Sequence, residues 1–261
     1  MENNNHEMAP WEYDIKSIKK EMWIADGIFG EIFRGKLLNS VDVALKCMNL
    51  ADEETFIREA NIGRQFNHPN VLRIIGICVL PPMIITEFMN NGNLKRFVQV
   101  NSITTAEALS VARQIASGMA YIASKSIAHC DLAARNILVG DNIENIKISD
   151  FGISKILKDG QHYEQDNNLP VDWSSPEARK GHITSAADVW SYAVVLWEVY
   201  SDGVIYEMML KCWSIDAQQR PSFNSIREFL SSYSPGLIEP LGNPIERKQP
   251  STSILSGERT H

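Results

Sequence analysis

The chain has little of what would send it to an oxidising compartment, a bilayer or a nucleic acid. Its four cysteines (Cys47, Cys78, Cys130 and Cys212) are scattered over 261 residues with no C-x-x-C pair. That spacing supplies neither a zinc ligand set nor a disulfide framework, and reduced thiols in a cytosolic protein are expected. Positive charge is in deficit: 25 Lys and Arg against 32 Asp and Glu leave a net charge of -7. The basic footprint that nucleic-acid or anionic-membrane binding needs is missing, so proteins and small molecules are the expected partners. The longest strongly apolar stretch, VWSYAVVLWEVY at 189–200, is shorter than the roughly 20 residues of a bilayer-spanning helix. The start, MENNNHEMAPWEYD, is polar and acidic, unlike the basic then apolar order of a signal peptide. Together these features predict a cytoplasmic chain, standing alone or as the intracellular portion of a larger protein.

The residues present are 44% hydrophobic and 22% charged, a globular composition long enough for one large domain or two coupled lobes. Residues 1–10 read as a disordered lead, and 234–261, rich in Pro, Ser, Gly and charge, as a disordered tail. Between them the pattern changes character. EIFRGKLL (31–38) and VDVALKCMNL (41–50) run near period two, while VLRIIGICVL (71–80) and PMIITEFM (82–89) are short apolar runs, all predicting strands. EETFIREANIGRQF (53–66) places Phe56, Ala60, Gly63 and Phe66 on one helical face. After the polar cluster NNGN (90–93) the pattern turns helical. There Thr104 and Glu107 form a capping box ahead of Leu109, Ala112, Ile115, Ala116 and Met119. The expectation is an α+β chain of two lobes: a small sheet with one helix (11–88), a hinge (87–93) lining a cleft, and a larger, mainly helical lobe (93–233).

By itself ADGIFGEIFRG (25–35) is a weak signal, because glycines beside a strand commonly mark a hairpin turn. The motifs downstream of it give it meaning. VALK with Lys46, REA with Glu59, HCDLAARN with Asp131, Arg135 and Asn136, DFG with Asp150, and SPE come in one fixed order. Moving a γ-phosphoryl group requires offsetting charge on its oxygens, aligning nucleophile and leaving group, and accepting a proton, so the parts are cations, metal-binding oxygens and one carboxylate. On these motifs the chain from Trp11 to Tyr233 resembles the protein kinase superfamily. The resemblance implies ATP and Mg2+ as cofactors and the two-lobed kinase fold. It implies that Lys46 contacts the α- and β-phosphates and is held by Glu59, that Asn136 and Asp150 hold Mg2+, and that Asp131 accepts the substrate proton with Arg135 as the nearby cation. The nucleotide loop would be Ile24, Ala25, Asp26, Gly27, Ile28, Phe29, Gly30 and Glu31. The adenine slot would lie between Ile32 and Ala44 above and Leu138 below, with Thr86 at its back and backbone groups of Glu87 to Met89 at the hinge.

Three features are similar to the tyrosine kinase branch. Ala133 and Arg135 stand where serine/threonine kinases carry a lysine two residues after the aspartate; Trp173 occupies the peptide-positioning loop LPVDWSSPEA; and CW (212–213) precedes RPSF (220–223). Tyrosine-bearing protein substrates are therefore expected.

The departures from the pattern are as informative. Cys130 replaces the arginine that in the family pairs with a phosphorylated activation-loop residue, for which Tyr163 is the candidate, so the usual regulatory pairing is not expected. Ala25 replaces the first glycine of the nucleotide loop, and Asp172 replaces a basic residue beside Trp173. Gly63 replaces a bulky apolar residue that would stack on Phe151 and His129. An open hole there would cost about 2 to 5 kcal/mol and leave the Lys46 to Glu59 arrangement poorly held. Only 22 residues separate Trp190 from Trp213, roughly thirty fewer than the family pattern. One helix and its loops are missing, through a splice variant, a faulty gene model or a functional shortening. Asp188, placed to hold the catalytic-loop backbone, and the pair Glu177 and Arg220 are kept. Two readings stand side by side: a working tyrosine kinase, and a pseudokinase that acts through its surface.

Overall fold

Apolar residues at every second position need a sheet to share one buried face, and the first lobe builds one. In the computed structural model, which describes residues 9–27, 30–49, 53–164, 168–199 and 203–232, five antiparallel strands are ordered β1-β2-β3-β5-β4. They are β1 (Ile18–Gly27), β2 (Gly30–Leu37), β3 (Val41–Met48), β4 (Ile74–Cys78) and β5 (Met83–Glu87). Leu37, Val43, Leu45 and Ile85 form one apolar face; Met48, Phe56, Ala60, Ile77 and Ile84 join the other face to helix α1 (Glu53–Gly63). The helical face expected from the sequence holds as far as Gly63, where α1 ends: Phe56, Ala60 and Gly63 are buried on it, and Phe66 is buried in the chain just beyond the helix.

The second lobe is organised around α3 (Thr105–Ser124), after the short α2 (Leu94–Val100). The Thr104 hydroxyl accepts from the Glu107 backbone N–H, and the Glu107 carboxylate accepts from the Thr104 N–H, the reciprocal capping box that the sequence predicts. Leu109, Ala112, Ile115, Ala116 and Met119 are all fully buried in the main core. Short strand pairs, not foreseen in a mainly helical lobe, carry the loops: β6 (Ile127–Ala128) with β9 (Lys155–Ile156), β7 (Ile137–Val139) with β8 (Ile146–Ile148), and β10 (Gln161–Tyr163) with β11 (His182–Thr184). Helices α4 (Ser185–Val199), α5 (Gly203–Cys212) and α6 (Phe223–Ser232) complete the lobe. Among the described residues α5 is the next element after α4, and Met208, Met209 and Cys212 sit in the core beside Tyr192 and Phe223. The expected lead and tail lie outside the described residues, Ala9 and Pro10 excepted. No helix among those described is long and apolar enough to cross a membrane.

Candidate active site

Three elements converge at the mouth between the lobes. Strand β3 presents Lys46 and α1 presents Glu59, and the ammonium donates to both Glu59 oxygens at 2.9 and 2.7 Å. It also reaches Asp150 Oδ1 at 3.0 Å. Burial alone would lower the lysine, but Glu59 and Asp150 outweigh it and hold its pKa above the usual lysine range. Burial likewise pushes Asp150 up; Lys46, as a charge and as a donor, brings it below the ordinary aspartate value. Next to Glu59, Arg58 Nε donates to the carbonyl of Gly152 at 3.1 Å. Helix α1 thus grips the DFG segment by side chain and by backbone.

Gly63 does not leave the expected hole. A Cβ built there would fall 2.3 Å from Ile74 Cδ1, because the β4 side chain already fills the space. Phe151 packs against Phe66 with ring centroids 4.7 Å apart and against His129 at 5.1 Å. The expectation of a poorly held Lys46 to Glu59 pair therefore does not stand: Ile74 and Phe66 supply the missing bulk, and the pair is closed.

The catalytic-loop candidates are set by buried polar anchors. Asp188 on α4 accepts from the backbone N–H of His129 at 2.8 Å and of Cys130 at 3.0 Å. His129 accepts at Nδ1 from the Asp131 N–H (3.2 Å), so its Nε2 carries the proton and donates to the Ser149 carbonyl at 3.0 Å. Cys130, between them, has φ +67°, a left-handed conformation that costs a residue with a Cβ. Asp131 is ringed by donors: Asn136 Nδ2 at 2.8 Å from Oδ2, and Arg135 on Oδ1. Burial raises its pKa above the ordinary aspartate value, with Arg135 as the main opposing charge. Asn136 and Asp150 come together because β7 and β8 pair Ile137 with Ile148, and the Asn136 carbonyl accepts from the Ser149 N–H at 2.8 Å.

The nucleotide-loop candidates lie on β1 and β2, where Ala25 opposes Ile32, Asp26 opposes Glu31 and Gly27 opposes Gly30. Ile28 and Phe29 lie outside the described residues. Ala25 has no positive φ, so the loss of glycine there is mild. Gly30 does need to be glycine: a Cβ would fall 2.0 Å from the Cys47 carbonyl oxygen. Ala44 opposes Thr86 across β3 and β5. The Glu87 carboxylate turns from the hinge to Lys147 (3.1 Å) and the Arg73 N–H (2.8 Å). Met89 is buried, Leu138 bridges to Asn93, and Ile24 is exposed on β1.

One residue of the site was not foreseen. Glu198, in the last turn of α4, accepts through a single oxygen from the Ala134 backbone N–H at 2.9 Å and from the Trp173 indole N–H at 3.0 Å. Trp173 in turn lies under the Arg135 guanidinium, 4.4 Å from its ring centroid. The loops that carry Ala134 and Trp173 are thereby tied to one carboxylate, whose partners lie 64 and 25 residues away in sequence and leave no local signal. Glu177 and Arg220, foreseen as a pair, meet in a fork, with Nη2 3.0 Å from Oε2.

A lysine closed on a helix glutamate, a second lobe carrying an aspartate ringed by donors, and a hinge between them define a protein kinase fold, and the chain belongs to the protein kinase family. The family model described as "Protein tyrosine and serine/threonine kinase" matches residues 18–205. Among curated relatives, the chain is 33% identical to Tyrosine protein-kinase src-1 of Caenorhabditis elegans over 85% of its length and 50% of the relative's. It is 36% identical to Ephrin type-B receptor 3 of Danio rerio over 87% of this chain and 55% of that one. With Ephrin type-A receptor 3 of Danio rerio it is 34% identical over 92% of this chain and 29% of that one. The chain thus spans about half or less of the length of these relatives. The three alignments run over 266, 278 and 291 positions, each more than the 261 residues present, so these relatives carry residues for which this chain has no counterpart.

Proposed function

We propose that the chain is a protein tyrosine kinase that transfers the γ-phosphoryl group of ATP to tyrosine hydroxyls of protein substrates, with Asp131 as the base. The observation that carries this reading is the closed cation network of Lys46, Glu59 and Asp150 facing an aspartate whose oxygens are occupied by Asn136 and Arg135. Lys46, kept charged, binds and orients the nucleotide phosphates. Asp131, buried and raised toward neutrality, is the carboxylate able to take the hydroxyl proton, and Asn136 and Arg135 hold its two oxygens in place. Glu198 and Trp173 set the loop on which the peptide rests.

The donor set fits Mg2+: the Asp150 carboxylate, held ionised, and the Asn136 amide oxygen are hard oxygens, and Mg2+ takes few protein ligands when phosphates supply the rest. Bound there, the ion would offset charge on the phosphate oxygens. Tyrosine specificity is supported by Ala133, Arg135 and Trp173 and by the likeness to the tyrosine protein-kinase src-1. Cytoplasmic placement belongs to the same reading.

The test is phosphotyrosine formation on a poly(Glu,Tyr) polymer with Mg-ATP, with Asp131→Asn as the blank and phosphoamino-acid analysis of the product. Phosphotyrosine above the blank supports the reading, and phosphoserine as the main product overturns its specificity. A folded protein that binds Mg-ATP with no transfer above the blank replaces it with the pseudokinase reading.

A further inference from the structure

We propose that Glu164 positions the activation segment by pairing with Lys155, so that a permanent carboxylate does what a phosphate on Tyr163 would otherwise have to do. Lys155 and Glu164 sit at equal offsets either side of the antiparallel bridge between Lys158 and Gln161, whose turn is made by Asp159 (φ +50°) and Gly160 (φ +78°). They therefore face each other across one arm, and Lys155 Nζ meets Glu164 Oε2 at 2.6 Å. Both ends of the arm are also fixed by backbone. Lys155 pairs with Ala128 on the strand leading into the catalytic loop, Leu157 N–H donates to Ser126 at 2.7 Å, and Glu164 N–H donates to Gly181 at 2.9 Å.

The chemistry at each neighbouring position favours this assignment. The Lys155 ammonium is buried, so a counter-charge is required where it sits. His162 Nε2 reaches the same Glu164 oxygen at 2.9 Å, as alternation along a strand demands of residues two apart. Tyr163 is on the opposite face, 71% exposed and stacked on His182 at 4.7 Å. A phosphate added there emerges away from Lys155. Position 130 offers it no cation either: the Cys130 side chain packs against the apolar group of Ala128, Leu157, Ala178, Ile183 and Ala187. Hydrogen bonds from Lys155 and then His162 hold the Glu164 carboxyl down to about 2, so its charge is present at any physiological pH.

The effect on catalysis rests on the kinase reading; the effect on the order of the segment does not. The test therefore has two arms, hydrogen exchange of the amides of Leu157, Lys158, Gln161 and Glu164, and kcat and KM for poly(Glu,Tyr). Tyr163→Phe is expected to leave both within about twofold of wild type, since no phosphate is needed. Glu164→Gln is expected to speed exchange about tenfold and lower kcat/KM about tenfold, chiefly through the KM for the polymer. Glu164→Asp, which keeps the charge, is expected to recover most of the exchange protection. Unchanged exchange in Glu164→Gln overturns the proposal, as does loss of activity in Tyr163→Phe. If the wild type transfers no phosphoryl group, that failure falls on the proposed function, and exchange alone decides this inference.

Discussion

Two carboxylates carry the most testable consequences at the scale of single residues. Burial raises the pKa of Asp131, and if Asp131 is the base of the proposed function, its protonated form cannot accept the substrate proton. Activity is therefore expected to fall as the pH is lowered, with the acid limb of kcat/KM above the ordinary aspartate range rather than within it. Because Arg135 opposes the shift, Arg135→Met should move that limb further up, and a pH series on the variant checks the sign. Glu198 acts at one remove. Removing its carboxylate leaves the Ala134 N–H and the Trp173 indole without their acceptor, a loss of about 1 to 3 kcal/mol for each buried group. Glu198→Ala should raise the peptide KM more than it lowers kcat. Glu198→Gln keeps an oxygen at the same reach and should restore most of the loss. Equal losses in the two variants in steady-state kinetics would show that the negative charge of Glu198, and not its acceptor oxygen, is at work.

At the scale of elements, the meeting of α1 and β4 is where a sequence-based expectation failed and the structure supplies the reason. Gly63 looks like a deletion in a stack of apolar side chains, yet the Ile74 δ-methyl occupies the site of the missing side chain. Restoring a large residue should thus harm rather than help. Gly63→Met is expected to destabilise by about 1 to 3 kcal/mol through overpacking, despite the better helix propensity of methionine. Pairing it with Ile74→Ala should recover much of that loss, and denaturant unfolding of the single and double variants measures the coupling. The example shows what kind of information a chain hides. Lys46, Glu59, Asp131 and Asn136 could be singled out because the residue types that phosphoryl transfer would need stand in order along the chain, and the structure brings Lys46 to Glu59 and Asn136 to Asp131; the α3 box was legible because Thr104 and Glu107 are local to each other. Strand β1 was not, since bulges between Lys20 and Met22 and between Trp23 and Ala25 break its alternation and leave Met22 and Trp23 exposed. Ile74 and Glu198 were illegible for a different reason, because each takes its meaning from a residue far along the chain.

At the scale of the whole molecule, the question is how a lobe with only 22 residues between Trp190 and Trp213 holds its loops. Part of the core is intact around it: Tyr192 is fully buried, donates to the Ala112 carbonyl at 3.0 Å and meets Phe223 edge-on. At the second landmark, Trp213 Nε1 is the one buried side-chain nitrogen or oxygen without a partner among the described residues. The tie across the lobe is Arg220, whose side chain is wholly buried, forked on Glu177 and donating further to the carbonyls of Ser214 (2.8 Å) and Ala186 (3.0 Å). One cation thus joins the segment that carries Glu177, the start of α4 and the turn beyond α5. Burial would raise Glu177, but the Arg220 hydrogen bond, a hydrogen bond from Ser175 and the Arg220 charge together outweigh it and set the folded pKa below the ordinary glutamate value. A lowered folded pKa contributes stability above the unfolded value that is lost as the pH falls through the folded one. Glu177→Gln, which leaves the arginine buried without its counter-charge, is expected to destabilise by about 3 to 5 kcal/mol near neutral pH. Its deficit against wild type should shrink as the pH drops below the ordinary glutamate range, because protonation then removes the same charge from the wild type. Urea unfolding at both pH values checks this. A constant deficit would mean that hydrogen-bond geometry, and not charge, holds the lobe together.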